Sequence, residues 1–152
     1  MLPASPALEK RLAAYYASRF GVPASVFAEL SLQSKKEEIW ATTGRPLPGI
    51  RSARPAGLRV GRDFPQGFKP TSAFLCALGS HIVHGRVCIG SEHLEPLLLG
   101  RRIPWDSGDD GYVALDYAGD ILGCGRIHRG RLHVLIPTGR RRELLEILRV
   151  RS

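Results

Sequence analysis

Residues 111–142, GYVALDYAGDILGCGRIHRGRLHVLIPTGRRR, constrain the fold more than any other part of the chain. Apolar and polar side chains alternate through Tyr112–Tyr117, with Val113, Leu115 and Tyr117 on one face and Tyr112, Ala114 and Asp116 on the other, the period of a half-buried strand. Ala118-Gly119-Asp120 and Arg129-Gly130 supply residue types that tolerate positive φ, so the segment reads as three short antiparallel strands joined by two tight turns. In the third strand Leu132, Val134 and Ile136 share one side, and Arg131, His133 and Leu135 the other. This alternation sets positive charge on a sheet surface, and polyanions are the natural candidates for it.

Charge carries the next step. The chain of 152 residues has a formal net charge of +8, with 22 Lys/Arg against 14 Asp/Glu. Residues 1–84 hold 11 basic and 5 acidic side chains, and residues 85–152 hold 11 and 9, so the excess lies mostly in the first half. Only Lys10, Lys35, Lys36 and Lys69 are lysines. Arginine's planar fork suits phosphate and base stacking better than an ammonium does, although a GC-rich genome would produce the same preference. No apolar run approaches the roughly 18 residues that a membrane span needs, and no secretory leader is apparent. The three cysteines, Cys76, Cys88 and Cys124, form neither a disulfide framework nor a metal-ligand pair, which fits a soluble, cytoplasmic protein.

Further elements follow from local signals. Ser5-Pro6 opens a helix over residues 7–19 that Gly21 stops, and Val22-Pro23 begins a short helical turn through Phe27. Residues 36–42 and 57–61 read as strands, 71–78 as a helix capped by Thr71 or Ser72, and both TTGRPLPGIRSARPAG and 63–70 as loops. A boundary falls within GSHIVHG, residues 79–85. Beyond it come a strand at 86–89 and a helix capped by Ser91 that ends at Gly100, with Pro96 an obstacle inside it. The fold class expected is α+β in two parts, 1–84 and 85–152.

The order of strand, short helix, Gly100-Arg101-Arg102 loop, then GYVAL, GDILGCGRI and LHVLIP resembles the PUA domain, a small RNA-binding β-pseudobarrel. Upstream, ASRFGVPASVF, KEEIWATT, GLRVGRDFPQGFKPTSAFLCALG and HGRVCIG resemble the small α/β pre-PUA segment found in relatives of Sun-type RNA cytosine-5 methyltransferases. The resemblance implies an N-terminal pre-PUA domain, a PUA-like RNA-binding domain, and tRNA or rRNA as ligand. It also implies a basic groove at the junction of the halves. Sun-type enzymes attack cytosine with a cysteine that follows proline and bind their methyl donor on a Rossmann-like half. Here no cysteine follows proline and no such half is present, so the expectation is an RNA-docking module that is not itself an enzyme and needs no cofactor.

Under that resemblance Arg101 and Arg102 contact RNA phosphates, and Arg126, His128, Arg129 and Arg131 around the second hairpin extend the track. Arg140 and Arg141 open the last helix, where cations oppose the macrodipole and an anionic ligand would offset the penalty. In the first half Arg62 and Lys69, the latter within FKPT, are the candidates. Gly123 and Gly125 either open the backbone to RNA or relieve crowding where the barrel bends. His81 and His84 lack partners for a metal site, Asp106, Asp109 and Asp110 read as turn residues, and Trp40 and Trp105 as core or interface. The alternative reading is a protein-interaction module that docks on a separate RNA methyltransferase or ribosome-assembly factor.

Overall fold

The computed structural model describes residues 2–42, 57–106 and 108–151. The chain is mixed α+β and divides into two compact units, Met1–His84 and Gly85–Ser152.

In the first unit a five-stranded antiparallel sheet runs in the order β1-β2-β3-β4-β5, comprising Leu2–Pro3, Ser31–Lys35, Glu38–Thr42, Leu58–Phe64 and Gly67–Pro70. Its helices are α1 (Pro6–Phe20), α2 (Ala24–Ala28) and α3 (Ser72–Leu78). Ser5 caps α1 by accepting the Leu8 N–H at 3.2 Å, Pro6 occupies the first turn, and Gly21 leaves the helix at φ 67°. Leu12, Tyr16 and Phe20, spaced by four, form the buried stripe. Tyr16 is the centre of the core. Its ring lies 5.7, 5.4 and 5.3 Å from those of Phe20, Phe27 and Phe74, and its hydroxyl donates to the Val60 carbonyl at 3.2 Å. Thr71 caps α3 by accepting the Phe74 N–H, which turns Phe74, Leu75 and Leu78 inward.

Two expectations for this unit are corrected. Lys36 does not begin a strand: with φ 54° it forms a tight turn with Glu37 between β2 and β3. β2 has a single buried apolar residue, Leu32, which leaves almost no alternation to read. Residues 63–70 are not a loop either, because Asp63 and Phe64 end β4 and the chain returns as β5, pairing Phe64 with Gly67 and Arg62 with Lys69. Gly61 permits that pairing, since a Cβ there would stand 2.6 Å from the Lys69 carbonyl oxygen. Of the GRP-rich stretch, residues 43–56 lie outside the described residues.

The second unit is built on a curled half-barrel in the order β6-β8-β9-β10-β7. Its strands are β6 (Arg86–Cys88), β7 (Ile103–Pro104), β8 (Gly111–Tyr117), β9 (Asp120–His128) and β10 (Arg131–Val134), with β6 parallel to β8 and the remaining pairs antiparallel. Ala118-Gly119 and Arg129-Gly130 form the two turns, all four residues having positive φ. Helices α4 (Ser91–Leu98) and α5 (Thr138–Arg151) complete the unit. Leu94, Leu97 and Leu98 of α4 join Val113, Leu115, Ile127, Leu132 and Ile136 in the core, and Leu144, Leu145 and Leu148 of α5 pack against it. On the opposite pleat Ala114 and Cys124 pair and are both fully buried, so β8 is enclosed on both faces there rather than half-buried.

α4 is capped by Gly90 and not by Ser91; the Gly90 N–H donates to His93 Nδ1 at 3.1 Å. Pro96 stands inside the helix, two residues before its end. Gly100, at φ 87°, donates to the Leu97 carbonyl, and Arg101 donates to that of Pro96, a paired helix ending that only a residue at ease in the left-handed region allows. Among the described residues no helix is long and apolar enough to cross a membrane.

Candidate nucleic-acid interface

Strand register assembles the sequence-predicted cations of the second unit. Tyr112 is paired with Arg126 and Arg126 with His133, which makes one cross-strand row over β8, β9 and β10. The adjacent row sets His128 opposite Arg131. Neighbouring strands stand about 4.8 Å apart, and successive residues of one face about 6.7 Å apart, so these side chains fall within one small patch. This is the face opposite Leu132 and Ile127, which are buried in the core.

The loop after α4 leads into β7, the strand beside β10. β7 pairs Ile103 with Leu132 and Pro104 with Arg131, so Arg101 and Arg102 immediately precede the strand that lies along β10. Arg101 and Arg102 are exposed and make no ion pair among the described residues, and the same holds for Arg131.

Arg141 ties the band to α5. Its guanidinium donates to the Leu98 carbonyl at 3.2 Å, to the Ile136 carbonyl at 3.1 Å and to Thr138 Oγ1 at 3.2 Å. Leu98 ends α4, so its carbonyl is one of those that a helix leaves unsatisfied. Partners within the protein therefore account for one of the three arginines that oppose the α5 dipole, without an anion. Arg140 is exposed and paired with Glu143 at 2.9 Å, and Arg142 is exposed without an ion pair among the described residues.

The hairpin cations are not equivalent. Arg126 lies over the Tyr112 ring, its guanidinium carbon 5.8 Å from the ring centre. His128 stands 3.7 Å from the Asp110 carboxylate, and the same carboxylate accepts the Arg129 N–H. Asp110 thus holds the turn and offsets positive charge at that end of the patch. Arg129 itself sits in the turn at φ 49°. Of the two glycines, Gly125 has a packing role: a Cβ there would meet Leu115 Cδ2 at 2.9 Å and the His133 carbonyl at 3.2 Å.

In the first unit Arg62 and Lys69 face each other across β4 and β5. Glu38 draws in Arg59 at 3.2 Å and Arg62 at 3.6 Å, which leaves exposed Lys69 as the one of the two candidates without an ion pair among the described residues. Among the described residues no group of three His, Cys, Asp or Glu side chains could hold a metal ion. His84 Nδ1 is instead 3.2 Å from the Arg19 carbonyl. Trp105 packs partly buried against the core, edge-on to His93 at 5.1 Å.

Sequence reasoning missed Tyr112 and His133 as members of the patch. Alternation placed both on a polar face, but only the pairing register shows that they flank Arg126. Compared with known proteins, the chain matches no family model and no curated protein sequence.

Proposed function

We propose that this protein binds structured RNA of the tRNA or rRNA class through the basic band of residues 85–152, as a non-catalytic module in RNA modification or ribosome assembly. The observation that carries the reading is the strand register, which pairs Arg126 with His133 and His128 with Arg131 on one face of the sheet, with exposed Arg101 and Arg102 immediately before the strand that pairs with Arg131. The curled sheet with a short helix and a glycine-terminated loop is the arrangement expected of a PUA-like pseudobarrel, and that resemblance selects RNA among polyanions. Arginines attract the phosphate backbone and fix its orientation by paired hydrogen bonds, while the rigid sheet selects shape. Arg140 and Arg142 extend the track at the start of α5, and Lys69, with Arg62, is a secondary contact. Arg141 acts mainly as a scaffold for the band.

Ultraviolet crosslinking of the full chain to bound RNA, followed by mass spectrometry of the crosslinked peptides, tests this assignment. Crosslinks are expected in 99–105 and 124–135. Crosslinks confined to 1–84 would overturn it.

A second reading, docking on a separate RNA methyltransferase or assembly factor, has an observation of its own. Two clefts of about 210 and 200 Å³ flank Leu148 of α5, sharing Leu94 and Tyr117, and Ile147 beside them is 45% exposed. Pull-down with and without nuclease separates the readings, since a protein partner survives RNA removal and an RNA-bridged one does not.

A further inference from the structure

A cleft of about 210 Å³ lies between α5 and the turn that joins β8 to β9. Leu144, Ile147 and Leu148 line it on one side, Tyr117 and Leu122 on the other, and α4 closes its floor. α5 leaves its apolar side unfinished there: Leu144 and Leu148 are half-buried, and Ile147 is 45% exposed. Contiguous exposed apolar surface of this kind marks a place of association, as a scattered leucine does not. Volume decides what can enter. Small-molecule sites run to about 300–1,000 Å³, so a cleft of 210 Å³ takes one or two side chains of a larger partner. β8 and β9 both lie inside the sheet, so neither offers an open edge for an extended segment to pair with. A docked segment must then satisfy its own backbone hydrogen bonds, as a helix does.

The border of the cleft is acidic, although the chain carries a net charge of +8. Asp120 is the charged residue that lines it, and Glu146 stands beside Ile147 on α5. Both are exposed and have no ion pair among the described residues, whereas Glu143 is already paired with Arg140. The cleft on the other flank of α5 has Glu95 and Arg149 together and favours neither sign. β9 holds the acidic border away from the basic patch. Asp120 is its first residue and His128 its last, about 27 Å apart at the rise of a strand.

We propose that the cleft beside Ile147 is a docking groove for an amphipathic helix of another protein, one whose apolar ridge is bordered by lysine or arginine. Apolar side chains of that helix, at i and i+3 or i+4, enter the cleft, and its cations meet Asp120 and Glu146. A second copy of this chain fits less well, since its own α5 would bring Glu143 and Glu146, which flank Ile147, against Asp120. The proposal does not depend on RNA binding; it rests on the docking reading and specifies the partner's chemistry.

The test uses the full chain and two fluorescein-labelled peptides of about 18 residues, long enough to form a helix. Both carry a leucine ridge, bordered by lysine in one and by glutamate in the other. At low salt the lysine peptide is expected to bind about tenfold more tightly by anisotropy, and the difference to shrink at high salt. Ile147→Ser, at an exposed position, should weaken the lysine peptide about tenfold and leave the unfolding midpoint and RNA affinity unchanged. Asp120→Asn with Glu146→Gln should bring the lysine peptide down to the level of the glutamate peptide. Equal binding of the two peptides, binding that survives Ile147→Ser, or no binding of either would overturn the proposal. A mass that doubles with concentration in the parent but not in Ile147→Ser would assign the groove to a second copy instead. A nuclease-resistant partner captured equally by the parent and by Ile147→Ser would keep the docking reading and remove this groove from it.

Discussion

Arg141, in the first turn of α5, donates from Nη1 to the carbonyl of Leu98, the last residue of α4, at 3.2 Å. One cation thereby caps a helix from outside and fixes where the arginine-bearing loop after α4 stands relative to the start of α5. Arg141→Ala is expected to destabilise the protein by about 1–3 kcal/mol, because the carbonyls of Leu98 and Ile136 lose a charged donor. Arg101→Ala and Arg102→Ala, at exposed sites, should each stay within about 0.5 kcal/mol of the parent. Urea unfolding distinguishes the classes, and equal losses for all three would refute the scaffold role of Arg141.

Gly100 belongs to the same contact. A Cβ at this residue would stand 2.8 Å from Arg141 Nη1, and its φ of 87° disfavours any other residue. Gly100→Ala should therefore cost at least about 1 kcal/mol and lower the thermal midpoint. An unchanged midpoint would show that the loop relaxes freely, and with it the position of Arg101 and Arg102.

Asp110 opposes the band from its edge, 3.7 Å from His128 and bonded to the Arg129 N–H. Asp110→Asn keeps an acceptor for the turn while removing the negative charge. RNA affinity should rise a few-fold at low salt, chiefly through faster association. A fall in affinity with the fold intact would mean that Asp110 orders the site by more than holding the turn.

Tyr16→Phe tests the core of the first unit. The hydroxyl bonds the Val60 carbonyl, but that carbonyl also accepts the Thr71 N–H at 3.1 Å and so keeps a partner. The expected loss is about 0.5–1 kcal/mol, with RNA affinity unchanged.

Much of this architecture is legible in the residues themselves, because local chemistry decides it. Ser5, Pro6 and Gly21 bound α1, Thr71 caps α3, and the positive-φ pairs Ala118-Gly119 and Arg129-Gly130 turn the meander. β2 and β5 are illegible for the complementary reason. Leu32 alone marks one, and Gly67–Pro70 is held by pairing with β4 and not by any pattern of its own. Alternation likewise predicts the charged face of β10 but not its neighbours. That Arg126 rests on Tyr112, and that Arg141 serves α4 rather than a ligand, are long-range facts set by register and helix packing.

The central claim is an RNA-binding band of arginines, and its most direct test is the salt dependence of RNA affinity for the full chain and for the Arg101→Ala/Arg102→Ala double variant. With about four phosphates neutralised, log affinity should fall against log salt with a slope of about −3 to −4, and the double variant should be flatter by about 1.5–2. A slope near zero, or a double variant with the parent's slope and affinity, would contradict the account.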